Sequence, residues 1–99
     1  MKFMLTWSID QDKWLPVLEM WGSMTPEERA DAGPGVSIIG RWHDMVARQG
    51  MAIIEATDLA AVNAYICQWN PHMDEDIAPV LDDEESAAVA RAITGNGGD

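Results

Sequence analysis

"VSIIGRWHDMVARQGMAIIEA", residues 36–56, holds two β-rich runs, Val36 to His43 and Gly50 to Ala56, joined by the polar stretch "DMVARQ". Isoleucine, valine and tryptophan suit a pleated surface, and a short polar connection between two such runs suits an antiparallel hairpin. What flanks the hairpin decides the fold. Upstream, Phe3, Leu5, Trp7 and Ile9 alternate with Met4, Thr6 and Ser8, the period of a strand. Between that strand and the hairpin, Trp14, Val17, Leu18 and Trp21 fall at i, i+3, i+4 and i+7 behind the candidate caps Asp10 and Asp12. This predicts a helix, with Pro16 early enough to be tolerated and Gly22 as its stop. "TPEE" at 25–28 predicts a short helical turn closed by a Thr25/Glu28 capping box and broken by "AGPG" at 32–35.

Downstream, Asp58 caps a helix whose stripe is Leu59, Val62, Ile66 and Trp69, and Asn70–Pro71 ends it. Ile77 to Leu81 is a last short strand, confined by Pro79 to an edge or a bulge. "DDEE" at 82–85 opens a terminal helix through about Ile93. The order β-α-β-β-α-β with an extra C-terminal helix predicts an α+β, ferredoxin-like domain. Right-handed crossovers then place both main helices on one face of a four-stranded antiparallel sheet. The chain of 99 residues is one domain, read as 1–93, followed by a fraying tail at 94–99.

Composition narrows the partners. Hydrophobic residues make up 47% of the chain against 23% charged, enough apolar surface to fold. Six Lys and Arg against seventeen Asp and Glu leave a net charge of -11, which repels phosphate backbones and anionic lipid. Nucleic acid and membranes are therefore not expected as partners. The opening "MKFMLTWSID" reads as a strand rather than an export signal, and no apolar run reaches the ~18–20 residues that span a bilayer. The single Cys67 excludes an internal disulfide and fits a reducing cytoplasm.

The sheet face away from the helices should be polar in a monomer. Instead Met4 lies opposite Phe3 and Leu5 in phase, and Ile38–Ile39, Ile53–Ile54 and Val80–Leu81 are adjacent apolar pairs. Both faces therefore read as apolar. At ~25 cal/mol per Å² of buried apolar surface, a cover is favoured, and a second copy packed sheet to sheet supplies it as a homodimer. The competing cover is the terminal helix folded back.

"MKFMLTW" at 1–7, "GRWH" at 40–43, "ATD" at 56–58, "QWN" at 68–70 and "DIAPVLDDEE" at 76–85 together resemble the bacterial family called domain of unknown function 3303, over Met1 to about Ala92. That family is similar to the dimeric α/β-barrel superfamily. The resemblance implies a ferredoxin-like dimer with a pocket between sheet and helices, in a group that includes cofactor-independent quinol monooxygenases, haem-degrading enzymes and lactone isomerases. The haem-degrading branch places an Asn on strand one, a Trp on strand three and a His early in helix two. This chain offers Thr6 and Ser8 on strand one and neither of the other two, so no haem or other cofactor is expected.

The candidate catalytic residues are Arg41, His43 and Glu55. In a strand Arg41 and His43 share one face, and Gly40 and Trp42 the other. Together Arg41 and His43 suit a carboxylate, with His43 titrating near neutrality; the plainer reading is a strand end at which Arg41 pairs with one of many acids. Glu55 ends an apolar run and is a general base if buried, a solvated terminus if not. Candidate ligand contacts are Trp7, Trp42, Asn63, Tyr65 and Trp69. Core packing accounts for all five tryptophans, Trp14 and Trp21 included, without a ligand, though an aromatic-lined cavity would suit a flat apolar molecule.

"NPHMDED" at 70–76 matches no Ca²⁺ loop, and two histidines are too few for a zinc site, so no metal is expected. Neither a Gly-rich phosphate loop nor a nucleophile elbow is present. The functional expectation is a pocket for a small apolar organic ligand, with monooxygenase-like or isomerase-like chemistry. The alternative is a non-enzymatic homodimeric interaction protein whose acidic surface meets a basic partner.

Overall fold

The computed structural model describes residues 1–95. Its elements are β1 (Lys2–Ser8), α1 (Gln11–Ser23), α2 (Pro26–Ala30), β2 (Val36–Asp44), β3 (Gln49–Ala56), α3 (Leu59–Trp69), β4 (Asp74–Val80) and α4 (Asp83–Thr94). The four strands form one antiparallel sheet in the order β2-β3-β1-β4, the α+β, ferredoxin-like arrangement expected from the element order. Local chemistry explains most boundaries. Thr25 and Glu28 form the reciprocal capping box of α2, the Asp58 carboxylate accepts from the Ala61 N–H at 2.8 Å to start α3, and Asp82 and Glu85 form a second capping box at α4.

Three boundaries differ from the sequence reading. Helix α1 runs through Gly22 and ends at Met24, whose N–H donates to the Trp21 carbonyl at 3.2 Å, and its cap Asp10 makes no side-chain bond. Strand β4 starts at Asp74 rather than Ile77 and stops before Leu81. Asp74, Glu75 and Asp76 pair with Ser8, Trp7 and Thr6, so the backbone ladder of β1 overrides the low strand propensity of acids. Leu59 is 54% exposed, and Tyr65 takes its place in the buried stripe of α3 beside Val62 and Ile66. Of the tail expected at 94–99, Thr94 closes α4 and Gly95 is its left-handed C-cap; 96–99 lie outside the described residues.

The core lies between the sheet and the helices. Phe3 and Leu5 of β1, Ala52, Ile54 and Ala56 of β3, and Val62, Tyr65 and Ile66 of α3 pack as one cluster, with Phe3, Ile54 and Val62 fully enclosed. Helix α1 adds only Val17 to the fully buried set. On the helix-free face Met51, Ile53, Ala78 and Val80 are half-buried and Met4 exposed, while Ile39 and Trp42 are 59% and 60% exposed. That face is apolar across its middle. Helix α4 does not cover it: no α4 residue is buried, and Val89 and Ile93 are exposed. The radius of gyration is 16.5 Å, where a compact chain of this length has about 13 Å.

Two glycines hold tryptophan rings against the sheet on opposite faces. A Cβ at Gly40 would strike the Trp42 ring, with Cζ3 at 2.9 Å. A Cβ at Gly50 would meet Trp7 Cε2 at 2.6 Å and the Trp42 carbonyl oxygen at 2.7 Å. Because one of these neighbours is backbone, the strand cannot yield cheaply. Gly50→Ala is expected to destabilise the fold by about 1–3 kcal/mol, the range for overpacking, read as a lowered urea midpoint at unchanged m-value.

Candidate functional site

The site starts from an irregularity in β2. Ile38 pairs with Ile54 and Arg41 with Ala52, but between them Ile39 and Gly40 stand against the single Ile53. This extra residue reverses the alternation of the strand. Ile38 faces the helices, and beyond the bulge Arg41 and His43 do so too, while Trp42 is turned to the open face. Across the sheet, His43 (β2), Gly50 (β3), Trp7 (β1) and Glu75 (β4) are successive cross-strand partners in one row. His43 and Glu75 are therefore three strand spacings apart, about 14 Å between Cα atoms, with the Trp7 ring lying over Gly50 between them.

Helices α1 and α3 roof this floor with Val17, Trp21, Tyr65 and Trp69, and Met73 closes one side. The space they bound is about 60 Å³ and partly open to solvent, and His43 is itself exposed. The aromatic wall is continuous: His43 meets Trp7 edge-on at 5.5 Å and Trp21 at 5.2 Å, and Trp21 meets Trp69 at 6.2 Å. The Arg41 guanidinium lies 4.7 Å from the Trp21 ring centroid, donates to the Arg29 carbonyl at 2.8 Å and reaches the Tyr65 hydroxyl at 3.5 Å. Arg41 is thus held on both sides, with no acid needed to fix it.

The titrating groups are shaped by this environment. Burial pushes the His43 imidazole below its usual range, and the Arg41 charge adds to the effect. Burial raises the Tyr65 phenol, partly offset by Arg41 and reinforced by the Glu75 carboxylate. Glu75 has one oxygen enclosed and, among the described residues, without a hydrogen-bond partner, and burial lifts its carboxyl from 4.5 to about 7. Near neutrality the pocket therefore holds an imidazole whose charged form is disfavoured and a carboxyl close to its midpoint, beside the Arg41 guanidinium.

Five of the eight residues singled out in the sequence, Trp7, Arg41, His43, Tyr65 and Trp69, line this one cavity. The other three lie elsewhere. Trp42 covers Gly40 on the open face. Glu55 is on that face too, paired with Lys2 at the end of the sheet away from Thr6 and Ser8; its carboxylate meets the Met1 amine at 3.1 Å and Lys2 Nζ at 3.8 Å. Asn63 is exposed, one position past Val62 and outside the buried stripe. Of "NPHMDED", His72 packs edge-on to Trp69 at 6.0 Å, and Asp74 and Asp76 are exposed in β4. Among the described residues no helix is long and apolar enough to cross a membrane.

Glu75 and Trp21 were not singled out as site residues. Trp21 was readable only as part of the α1 stripe. The signal for Glu75 is its phase: in "DEDIAPV" it is two residues before Ile77, and the two share a face once the strand is extended to Asp74.

The raised carboxyl has a stability consequence. Glu75 holds its proton more tightly in the folded chain than in the unfolded one, so ionising it disfavours folding. The penalty is absent below about pH 4.5, grows as pH rises and is complete above the folded value of about 7. Glu75→Gln is therefore expected to be more stable than the wild type at pH 8, by about 1–2 kcal/mol once solvent screening of a half-exposed carboxyl is allowed for, with the difference vanishing at pH 4. Urea unfolding at the two pH values checks this.

A comparison with curated proteins finds no match. A family model described as domain of unknown function 3303 matches residues 1–94, and the chain belongs to that family.

Proposed function

We propose that the protein binds a small, flat, largely apolar organic molecule bearing a hydroxyl or amine, held between the sheet and helices α1 and α3. The observation that carries this reading is the enclosed, unpartnered oxygen of Glu75 in a pocket otherwise walled by Trp7, Trp21, Tyr65 and Trp69. A buried acceptor without a partner costs about 1–3 kcal/mol, and a ligand donor relieves that cost. Arg41 and the Tyr65 hydroxyl supply donors for an oxygen elsewhere on the same ligand.

The cavity of about 60 Å³ is well below the ~300–1,000 Å³ typical of ligand sites, so binding includes an outward shift of the roof. Helix α1 is suited to that, since Val17 is its one buried residue. The chemistry such a site supports is proton transfer. Glu75, with a carboxyl near 7, takes a proton from the ligand, and Arg41 with Tyr65 steadies the negative oxygen that results. In an isomerase-like reaction Glu75 returns the proton at another atom. A monooxygenase-like reaction starts from the same deprotonated ligand, with dioxygen as co-substrate.

We further read the working form as a homodimer in which two open faces meet, as in the dimeric α/β-barrel superfamily. This covers Met4, Ile39, Trp42 and Ile53.

Native mass spectrometry of protein taken from its own host is expected to find a retained organic molecule, and tryptophan fluorescence is expected to be quenched by simple naphthols. Arg41→Met should weaken that quenching about tenfold, the worth of one hydrogen bond to a charged group. A bare polypeptide mass together with no quenching by any naphthol would remove the reading.

A further inference from the structure

We propose that α4 is an exchanged arm: in the homodimer each α4 packs along the flank of the other subunit through Val89, Ala90 and Ile93. The inference rests on the pairing of open faces and goes beyond it, because it assigns the cover of a helix none of whose described residues is fully buried in its own subunit.

Three observations carry it. The first is the exposure of α4. Ser86, Val89, Ala90 and Ile93 fall at i, i+3, i+4 and i+7, and all four are exposed, Ile93 at 79%. A lone helix of twelve residues is marginal in water, and helices in proteins take most of their stability from a packed apolar face. Its capping box fixes where α4 starts but gives the stripe nothing to pack on.

The second is the point of departure. Lys2 lies in phase with Met4 and pairs with Glu55, which puts its side chain on the open face. Its Nζ reaches Asp82 at 3.5 Å, Glu85 at 3.6 Å and Glu55 at 3.8 Å. One cation thus ties the first turn of α4 to the open-face side of the sheet, and the chain extends to 56 Å along its longest axis. An arm leaving from that side runs beside whatever is stacked on the open face.

The third is area. Four strands about 4.8 Å apart and seven residues long at ~3.3 Å each present a flat outline of about 440 Å² for face-to-face contact. An α4 of about 18 by 10 Å adds an outline of roughly 180 Å² on its own surface and as much again where the other subunit's arm lies. With both arms engaged the outline two copies share nearly doubles, toward the larger interfaces that stable dimers have.

The test uses the full chain. Sedimentation equilibrium is expected to find a dimer for the wild type. Val89→Asp/Ile93→Asp is expected to weaken it by at least about 100-fold, as loss of two central apolar contacts does. The near-ultraviolet circular dichroism of the tryptophan pocket should persist, because both side chains are exposed within their own subunit. Ile39→Glu on the open face should also give monomers. A wild-type dimer that the α4 variant leaves equally tight overturns the arm and leaves face pairing intact. A wild type that is monomeric at every concentration overturns both. Hydrogen exchange on the unaltered protein gives a second reading: α4 amides should gain protection as concentration rises, and equal exchange at low and high concentration contradicts the arm.

Discussion

Two residues of β2, Ile39 and Gly40, stand against one residue of β3, Ile53, and the character of the pocket follows from that mismatch. Had β2 kept strict alternation from Ile38, then Gly40 and Trp42 would face the helices and Arg41 and His43 would face out. The bulge exchanges the two pairs. It places a cation and an imidazole over the floor formed by Ala52, Gly50 and Trp7, and sends an indole to the opposite surface. A one-residue insertion thus converts a place that would have held another core tryptophan into one with polar chemistry, a known use of bulges near functional sites.

The polar groups do not neutralise one another. Arg41 is held by the Arg29 carbonyl, the face of Trp21 and the Tyr65 hydroxyl, and among the described residues it has no carboxylate partner. Glu75 stands on the far strand of the sheet and keeps an unpartnered oxygen. Separating a cation from a carboxyl across an aromatic floor keeps two polar groups of opposite character apart. A direct ion pair would have closed the pocket and left neither group available.

Much of this was readable from the residues. The hairpin at 36–56, the phased strand at the N-terminus and the capped helices fix the element order, and the order fixes the sheet as β2-β3-β1-β4. The pairing of Arg41 with His43 on one face followed from period two alone. Which face could not follow, since "SIIG" carries no mark of where the extra residue falls, and only the register against Ile53 and Ile54 decides it. Glu55 and Asn63 had the right chemistry and the wrong position: the first at the far end of the open face, the second one step past the edge of a helical stripe. Glu75 was hidden because acids are poor strand formers, so "DED" reads as loop until β1 is seen to pair with it.

The fit of Trp7 over Gly50 bears on how this family can diversify. The ring and the Trp42 carbonyl oxygen both occupy the space that a side chain at 50 would need, so position 50 is closed even to a shrunken Trp7 unless the β2 backbone also gives way. Trp7 is the freer of the two: a smaller residue on β1 above an unchanged Gly50 would deepen the floor of the cavity while leaving the strand ladder untouched. The shape of the cavity can therefore drift by substitution on β1 alone, without disturbing the bulge that aims Arg41 and His43.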